Sequence, residues 1–308
     1  MLDLHRLMLL REIKFRGSMT AAARNLAYSH SAVSQQMSLL EKEAGVVLLE
    51  RVGRGVRLTS AAEQLVRHTE SMLAILEEAE SDLASSLGEV RGSVTIATFG
   101  TVARAIVPDI LVQLGQMYPH LRVDFEQHEP EEGLPRLAAR RLDLLIADQY
   151  PDSPMWVGPA LHAELLCRDP VAAYLPAGAA VETVSDLVRV PWVTEPRGTG
   201  SFAWVQQLCR SVGFEPDVRY QSADLVVHVR MVEAGLAAAV LPGLAVREAV
   251  GELRPSPLFP GDFARGIHAI CREGSQNQPV IIACQAVIRD VMTAVCAADR
   301  CPGTGTDT

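Results

Sequence analysis

The stretch Gly17–Thr59, GSMTAAARNLAYSHSAVSQQMSLLEKEAGVVLLERVGRGVRLT, predicts a helix, a tight turn, a second helix and a short β-hairpin, in that order. Ser18 and Thr20 place hydroxyl groups at the start of the first helix, where such groups cap free backbone N–H groups. The alanines at 21–23 are strong helix formers, and their small side chains let two helices approach closely at the turn. This stretch therefore organises the amino-terminal part of the chain.

The second helix is expected after the break at Tyr28–Ser29, and either Ser29 or Ser31 can cap it. Its apolar positions recur at spacings of four and three residues, and they are Val33, Met37 and Leu40. Its outward positions carry polar groups of short or medium length, and they are His30, Ser34, Gln35 and Ser38. A helix that is merely solvated usually carries Lys and Glu there, whereas these groups suit base edges and phosphates.

A basic hairpin is predicted after Ala44–Gly45, which should end the second helix. Residues 46–49, VVLL, are expected to form a short apolar strand. Arginines then recur at a spacing of three between glycines that permit a tight turn, and we expect these guanidinium groups to cluster: Arg51, Arg54 and Arg57. Such a wing suits contact with DNA phosphates or the minor groove. Taken alone, the same arginines would also fit an ordinary solvated surface.

A first helix is predicted over residues 4–16, and we expect it to pack against the two helices of the helix–turn–helix. Its apolar stripe has a spacing of three and consists of Leu4, Leu7, Leu10 and Ile13. The segments GS-M-T-AAA-RNL, S-AVS-QQ-M-LLE-E-GV-LLER and RGVRLT together resemble the winged helix–turn–helix of LysR-type transcriptional regulators. The resemblance is dense over about the first 65 residues and weaker beyond them. It implies a DNA-binding regulator whose effector domain has the type-2 periplasmic-binding-protein fold.

The chain departs from the resembled pattern at three places. His30–Ser31 stands where Gln-Pro is common, and Leu49 and Leu10 stand where aromatic residues are common. The change at His30 leaves the operator sequence open.

The predicted DNA-binding residues share hydroxyl, amide, imidazole or guanidinium groups, and they are Ser18, Thr20, Ser29, His30, Ser31, Ser34, Gln35, Gln36, Ser38, Arg51, Arg54 and Arg57. We expect the helix residues to read major-groove base edges and the arginines to hold the DNA backbone. The charge distribution agrees, because residues 1–67 carry a net charge of +4 and the remainder carries −13. A basic piece joined to an acidic body is the balance expected when one end of a protein meets phosphate.

The length of 308 residues, with 48% hydrophobic and 21% charged residues, predicts two or three globular domains. The sequence has no run of about 18 uncharged apolar residues and no cleavable signal, so we expect no membrane partner and a cytoplasmic location. The six cysteines lack the spacing of a zinc site. We therefore predict no metal, no cofactor and ordinary thiols, with a redox-sensing thiol as the alternative.

A long helix is predicted from Ser60 to about Leu87, because Ser60 and Glu63 can form a capping box and neither Pro nor Gly interrupts it. Its apolar positions follow intervals of 4-3-4-3-4, a heptad seam made of Leu65, Thr69, Met72, Leu76, Ala79 and Leu83. A helix with one apolar seam needs a partner, and a second copy of the chain is the simplest one. Packing on the chain's own effector domain is the alternative. Gly88 and Gly92 are expected to bracket a hinge.

The remaining sequence alternates strands and helices, which predicts a parallel, doubly wound sheet for residues 93–170 and a second unit for about 165–265. The predicted fold class is multidomain α+β. Its parts are a winged helix–turn–helix at 1–59, a linker and dimerisation helix at 60–90, an α/β effector-binding domain at 91–300 and a disordered tail at 301–308. The effector domain is expected to contain one subdomain at about 91–163 with 267–300 and another at about 164–266.

An effector is expected beyond the carboxyl ends of the strands, beside helix N-termini. The loops there offer hydroxyls, backbone N–H groups and one arginine: Thr98, Phe99, Gly100, Thr101, Asp148, Arg197, Thr199, Gly200, Ser201, Gln221 and Ser222. These groups favour a small anion such as a carboxylate. Helix capping alone is the alternative for each residue, and a solvated loop position is the alternative for Arg197.

Together these features predict a homo-oligomeric, sequence-specific transcriptional regulator that a small anionic effector modulates from between the two subdomains. Double-stranded DNA is its main partner, and RNA polymerase is a further candidate. Two alternatives stay open: a cytoplasmic α/β binding protein or enzyme with an accessory DNA-binding domain, and a DNA-binding protein with an empty pocket. The sequence contains no dinucleotide, phosphate-loop, nucleophile-elbow or metal-ligand motif in favour of an enzyme. It leaves open the effector, the operator, activation or repression, and dimer or tetramer.

Overall fold

The computed structural model describes residues 1–26, 28–52, 55–85, 90–153 and 160–298. The chain forms two compact units, an amino-terminal unit of Met1–Leu87 with Arg272–Gln278 and a carboxyl-terminal unit of Gly88–Cys271 with Pro279–Thr308. The finer boundaries expected from the sequence, including the two subdomains, stay predictions. The tail predicted at 301–308 and the hinge glycine Gly88 lie outside the described residues.

The amino-terminal unit contains four helices and one hairpin. They are α1 (Leu4–Arg16), α2 (Met19–Asn25), α3 (His30–Ala44), β1 (Leu49–Val52), β2 (Gly55–Leu58) and α4 (Ser60–Ser85). The strands pair antiparallel, with Leu49 opposite Leu58. A helix, a close helix pair, a basic hairpin and a long helix were all expected, and the structure has each of them.

The caps of the helix pair lie where the hydroxyl residues predict them. The Ser18 side chain accepts from the backbone N–H of Ala21 at 3.1 Å, and the Ser29 side chain accepts from that of Ala32 at 3.1 Å. Gly45 ends α3 in the left-handed region at φ +69°, which a glycine adopts without a steric penalty. Of the two serines that could cap α3, the structure selects Ser29.

One apolar core holds these elements together. Its buried side chains come from α1, α2, α3, the segment before β1, and the start of α4: Leu7, Leu9, Leu10, Ile13, Ala22, Ala23, Val33, Met37, Leu40, Leu48, Ala62 and Val66. The three apolar positions predicted for α3 are all buried. Leu4, the first member of the predicted stripe of α1, is instead exposed at the helix end.

The predicted strand at 46–49 is wrong, because β1 begins at Leu49. The carboxylate of Glu41 accepts from the backbone N–H groups of Leu48 and Leu49, at 2.8 and 3.1 Å. These two donors are therefore committed to α3. Val46 and Val47 remain exposed, so their apolar character marks no buried strand.

The predicted capping box at Ser60 is also wrong, because Thr59 caps α4. The Thr59 hydroxyl accepts from the N–H of Ala62 at 3.2 Å and donates to the carbonyl of Val47 at 3.0 Å. Glu63 instead pairs with Lys14 at 2.6 Å. A single hydroxyl thus joins the start of α4 to the segment before β1, which the local pattern could not indicate.

The long helix α4 is buried along its first part and exposed along its later part. Thr69 and Leu73 are buried, and Leu65 packs against the core of the amino-terminal unit. The later apolar side chains are exposed: Met72 by 40%, Ile75 by 65%, Leu76 by 38% and Leu83 by 71%. The exposure of the predicted heptad seam therefore varies along α4, because its first two members, Leu65 and Thr69, are at least partly buried within the amino-terminal unit.

The carboxyl-terminal unit is built on a six-stranded sheet in the order β4-β3-β5-β10-β6-β9 and a separate pair β7-β8. The strands are β3 (Gly92–Thr98), β4 (Leu121–Gln127), β5 (Leu144–Gln149), β6 (Leu161–Tyr174), β7 (Pro191–Thr194), β8 (Asp217–Gln221), β9 (Ala239–Pro242) and β10 (Phe263–Arg272). The helices are α5 (Gly100–Met117), α6 (Pro130–Ala138), α7 (Val184–Leu187), α8 (Gly200–Val212), α9 (Leu225–Glu233), α10 (Gly243–Val246) and α11 (Pro279–Ala298). A 3-10 turn at Ser275–Asn277 belongs to the amino-terminal unit.

The parallel arrangement expected for residues 93–170 is confirmed for β3, β4 and β5, and strands that come later in the sequence add antiparallel pairings to the same sheet. Strand β3 runs parallel to β4 and β5, but β10 pairs antiparallel with β5, and β9 pairs antiparallel with β6. The closing strand enters the middle of the sheet, so the sheet is mixed. Strand β6 also begins ten residues before the predicted 171–175, at Leu161, where charged residues and Pro170 hide the strand pattern.

The apolar helix α11 packs into the core of its own unit. Its stretch Pro279–Cys296 is long and apolar enough, by composition, to cross a bilayer, with mean hydropathy 1.6. Its buried side chains share a core with β3, β10 and α5, and they are Ile281, Cys284, Val287, Ile288, Val291 and Met292. This packing identifies α11 as a core helix.

Replacing Leu40 with Ala should destabilise the amino-terminal unit by about 2–5 kcal/mol, because its side chain is fully buried and the truncation leaves a cavity. The neighbouring Leu39 is 36% exposed, so Leu39→Ala is the matched control and should cost less than about 1 kcal/mol. Urea unfolding followed by far-ultraviolet circular dichroism measures both. All three tryptophans lie in the carboxyl-terminal unit, so tryptophan fluorescence should report an unchanged transition. Equal effects of the two substitutions would contradict the assigned orientation of α3.

Candidate functional sites

The outer face of α3 is polar and accessible. His30, Ser31, Gln35 and Ser38 are exposed, and Ser34 is half-buried between them. The opposite face carries the three buried apolar residues of this helix, so packing of the core fixes which face points outward. Thr20 is exposed in the first turn of α2.

Some of the predicted DNA-binding hydroxyls already make bonds within the chain. Ser18 and Ser29 cap their helices, and the Ser29 hydroxyl lies 3.0 Å from that of Ser31. Ser38 donates to the carbonyl of Ser34 at 3.1 Å. A hydroxyl can both donate and accept, so these bonds leave capacity for a further partner.

The two adjacent glutamines differ in orientation. Arg6 Nε donates to the side-chain oxygen of Gln36 at 2.9 Å, and Arg6 also pairs with Glu43. Gln36 is thus tied to α1. Gln35 is exposed, and its side chain makes no hydrogen bond within the part of the chain that the structure describes.

The hairpin places Arg51 and Arg57 on different strands. Arg51 lies on β1 opposite Val56, whereas Arg57 lies on β2 opposite Glu50. The Arg57 guanidinium donates to Glu50 at 3.0 Å, and both side chains are at least half exposed, where such a pair adds little stability. Arg54 lies outside the described residues, so the predicted cluster stays untested at that position.

The carboxyl-terminal unit contains a cavity of about 160 Å³. It lies where the carboxyl ends of β3, β5 and β7 approach the N-termini of α5, α6 and α8, which is the placement expected for open α/β units. Its walls consist of Phe99, Gly100, Thr101, Arg104, Glu129, Pro130, Glu131, Leu134, Asp148, Gln149, Tyr150, Ser153, Glu195, Thr199, Gly200, Ser201, Ala223, Leu225 and Arg265.

The cavity includes seven of the eleven residues expected to bind an effector. They are Phe99, Gly100, Thr101, Asp148, Thr199, Gly200 and Ser201. Thr98 is buried and donates to the carbonyl of Ile146, Arg197 lies over the Phe202 ring, and Gln221 ends β8. Ser222 accepts from the N–H of Asp224 in the turn before α9. These four residues are not part of the cavity wall.

A buried arginine that the prediction missed forms one wall of the cavity. Arg265 is 1% exposed, and its guanidinium donates to Asp169 and Asp148, each at 2.9 Å, and to Thr101 at 3.0 Å. The ring of Phe99 lies 5.1 Å from its Cζ. A lone charge within the apolar strand sequence FARGIHAIC was the available signal.

Three carboxylates of the wall were also missed, although each stands close after a strand. Glu129 and Glu131 follow β4, and Glu195 follows β7 directly. The backbone N–H of Gly200, at the start of α8, donates to Glu131 at 3.1 Å. The N–H of Gly100, at the start of α5, faces the Glu129 carboxylate and lowers its pKa. Two helix N-termini expected to hold an anionic ligand therefore hold carboxylates of the chain itself.

Burial raises the pKa values of these acids. The pKa of Glu129 rises to about 7, chiefly through burial and then through the charge of Asp148. The pKa of Glu195 rises to about 7 through burial, against a hydrogen bond from Ser201 that lowers it. Burial also raises the pKa of Asp148, while Arg265 opposes that rise. The wall therefore changes charge near neutral pH.

The cysteines of the described residues are free thiols. Burial raises the pKa of Cys209 and that of Cys284 to about 12 in each case, so neither is a ready thiolate at neutral pH. The thiols of Cys167 and Cys296 lie 2.8 Å apart. Within the described residues no group of three His, Cys, Asp or Glu side chains could hold a metal ion.

Comparison with known proteins places both units in one family. Residues 4–63 match the bacterial regulatory helix-turn-helix of the lysR family, and residues 87–293 match the LysR substrate binding domain. The regulator CysL of Bacillus subtilis is 26% identical over 269 residues, which cover 85% of this chain and 90% of CysL. The chain belongs to the LysR family.

Solved structures share the fold. An OxyR mutant from Corynebacterium glutamicum matches with a TM-score of 0.57 and 21% identity, over 97% of this chain and 94% of that one. Full-length CbnR in complex with its target DNA matches with a TM-score of 0.51 and 21% identity, over 94% and 100%. The protein is thus a LysR-type DNA-binding transcriptional regulator with an effector-binding substrate domain.

Replacing Glu195 with Gln should stabilise the protein at alkaline pH. The folded pKa of about 7 exceeds the ordinary value of 4.5, so the stability linked to this proton is complete below pH 4.5 and is lost as the pH rises through 7. The variant lacks this loss of stability. Its free energy of unfolding should exceed that of the parent by on the order of 2 kcal/mol at pH 8 and should equal it at pH 4. Thermal unfolding from pH 4 to pH 8 measures the difference. Glu132→Gln, at a 70% exposed side chain of α6, is the control. Parallel curves for Glu195→Gln and the parent would refute the assigned pKa.

Proposed function

We propose that this regulator docks α3 in the major groove of its operator and that Gln35 is its main base-reading residue. The observation that carries the proposal is the exposed polar face of α3, with the unbonded side chain of Gln35 at its centre. A major groove admits one α-helix, and a glutamine can bond bidentately to adenine. His30, Ser31, Ser34 and Ser38 flank it on the same face.

The hairpin and the helix starts are proposed to hold the DNA backbone. Arg57 is exposed and is paired with one carboxylate at the surface, which phosphate can replace at little cost. Arg51, Arg54, Ser18, Thr20 and Ser29 complete the proposed contacts. The fold shared with CbnR, which was solved with its target DNA, supports this docking.

Gln35→Ala should weaken binding to the operator about tenfold while leaving binding to unrelated DNA nearly unchanged, because base contacts carry the discrimination. Gln36→Ala is the matched control, since Gln36 is bonded to Arg6, and it should change discrimination less than twofold. Gel shifts with the region upstream of the gene, against scrambled DNA of equal length, measure both. An equal loss from the two variants would overturn the assignment of Gln35.

The second part of the proposal is homo-oligomerisation through the part of α4 from Met72 to Leu83. Four apolar side chains are exposed there within one helix, and a single helix–turn–helix reads one half of a dyad site. A second copy of the chain would cover this surface by symmetric pairing. A dimer satisfies this surface, and a tetramer requires a further one.

Leu76→Glu should convert the oligomer to monomer, because a carboxylate would be buried in the paired surface. Val250→Glu, at a position 84% exposed in the carboxyl-terminal unit, is the matched control and should keep the native mass. Light scattering coupled to size exclusion measures the masses. An oligomer unaffected by Leu76→Glu would show that α4 is not the pairing surface.

The third part is regulation by a small molecule in the cavity of the carboxyl-terminal unit. A ligand that binds one arrangement of the unit better shifts its population, and DNA binding or contact with RNA polymerase would follow from that shift. The family consists of transcriptional regulators, and we propose the same cytoplasmic, non-enzymatic role for this chain.

A further inference from the structure

The cavity wall is acidic. It contains four carboxylates, from Glu129, Glu131, Asp148 and Glu195, and two guanidinium groups, from Arg104 and Arg265. The sign of the wall therefore opposes the anionic effector that the loop sequences predict. Whether an anion still fits depends on the partners of the two arginines.

Both arginines are already neutralised by carboxylates of the chain. Arg265 is bonded to Asp148 and Asp169 and to a threonine hydroxyl, so each of its three guanidinium nitrogens already has a partner within the chain. Arg104 pairs with Asp224 at 3.1 Å. An incoming carboxylate would have to displace one of these carboxylates, which for the buried Arg265 would leave a buried acid without its partner.

The helix N-termini offer an anion no better site. The first N–H group of α5 faces the Glu129 carboxylate, and that of α8 donates to Glu131. The structure describes no salt bridge of Glu129, Glu131 or Glu195 with any cationic side chain of the described residues. The cavity therefore has an excess of acceptors and negative charge.

A second, independent observation points to a bound ligand. A small neighbouring cavity shares Tyr150 and Glu195 with the first and is also lined by Thr194 and His228. Thr194 is 2% exposed, and its hydroxyl has no hydrogen-bond partner among the described residues. An unbonded buried hydroxyl is costly. Its oxygen can accept an N–H from a ligand, and the Glu195 carboxylate in the same lining would balance a positive charge on that ligand.

We propose that the effector is a small organic cation, with an ammonium or amidinium group bound by Glu195 and Glu129 and a short apolar body against Phe99, Leu134 and Leu225. This inference rests on the proposed regulation by a ligand in the same cavity and replaces the anion expected from the sequence. An organic group is favoured over a metal ion, because the described residues contain no group of three ligands with metal-binding geometry. The volume of about 160 Å³ limits the ligand to a small molecule.

The pH dependence follows from the groups around the two acids. Glu129 faces Asp148, Glu131, Arg265 and the N–H of Gly100, whereas Glu195 faces Asp148, Glu129, Arg265 and Ser201. Arg104 and Asp224 form a pair at the wall. Burial keeps the pKa of His228 below its usual range, so this imidazole is neutral near pH 7. Both acids have raised pKa values near 7, so they lose their protons as the pH rises from 6 to 8. Cation binding should therefore strengthen over this range.

The test uses the full chain and pairs of probes with one carbon skeleton and opposite charge. Butylamine is compared with butyrate, and benzylamine with benzoate, at pH 6 and pH 8, by thermal shift and calorimetric titration. We expect saturable binding of at least one amine, tighter at pH 8, and none of either carboxylate. Glu195→Gln and Glu129→Gln should each weaken the amine at least tenfold. Glu132→Gln, on the same helix as Glu131 but outside the cavity wall, should leave it unchanged.

Three results would overturn the inference: a carboxylate that binds as tightly as its amine, an amine whose binding survives both cavity substitutions, or no saturable binding of either amine. Circular dichroism checks that each variant is folded. If one of the two cavity variants fails to fold, the other still tests the inference. Gel shifts on the same samples separate this inference from the proposed function. If the protein still binds its operator and its cavity binds a carboxylate, the proposed regulation by an effector stands. Only the inferred positive charge of the effector is then refuted.

Discussion

The buried guanidinium of Arg265 constrains the whole carboxyl-terminal unit. A charge that is 1% exposed must be neutralised within the chain, and its partners come from α5, β5 and β6 through Thr101, Asp148 and Asp169. Asp169 also accepts from the N–H of Leu244 at 3.1 Å, and this contact places the short helix α10. Removing any one partner would leave a buried charge or donor unsatisfied, so these elements are fixed together.

The same network determines what the cavity can bind. Because the guanidinium of Arg265 is bonded to the carboxylates of Asp148 and Asp169, its positive charge is already balanced within the chain. The acids Glu129, Glu131 and Glu195 form no salt bridge with a cationic side chain of the described residues, and two of them have pKa values near 7. An ionisable wall of this kind favours a cation and couples its binding to proton release. The polarity of the site thus follows from one internal ion network.

Local sequence patterns predicted most of the fold, because the signals of its helices and strands lie within a few neighbouring residues. The caps Ser18 and Ser29, the stop at Gly45 and the buried face of α3 follow from rules that act within four residues. The errors occur where a distant group intervenes. Glu41 takes the donors of Leu48 and Leu49, and the antiparallel entry of β10 beside β5 depends on residues more than a hundred positions away.

The sequence by itself determined the helix–turn–helix and the positions of the strand ends around a cavity, since periodicity, capping and turn chemistry are local. It also predicted seven of the residues that line the cavity, from the loops in which they lie. Only the tertiary structure decided that Gln36 bonds to Arg6 while Gln35 stays exposed. It alone decided that the chain's own carboxylates occupy two helix N-termini and that Arg265 is already paired. Charge balance in a site depends on which distant side chains meet there, and no local pattern contains that information.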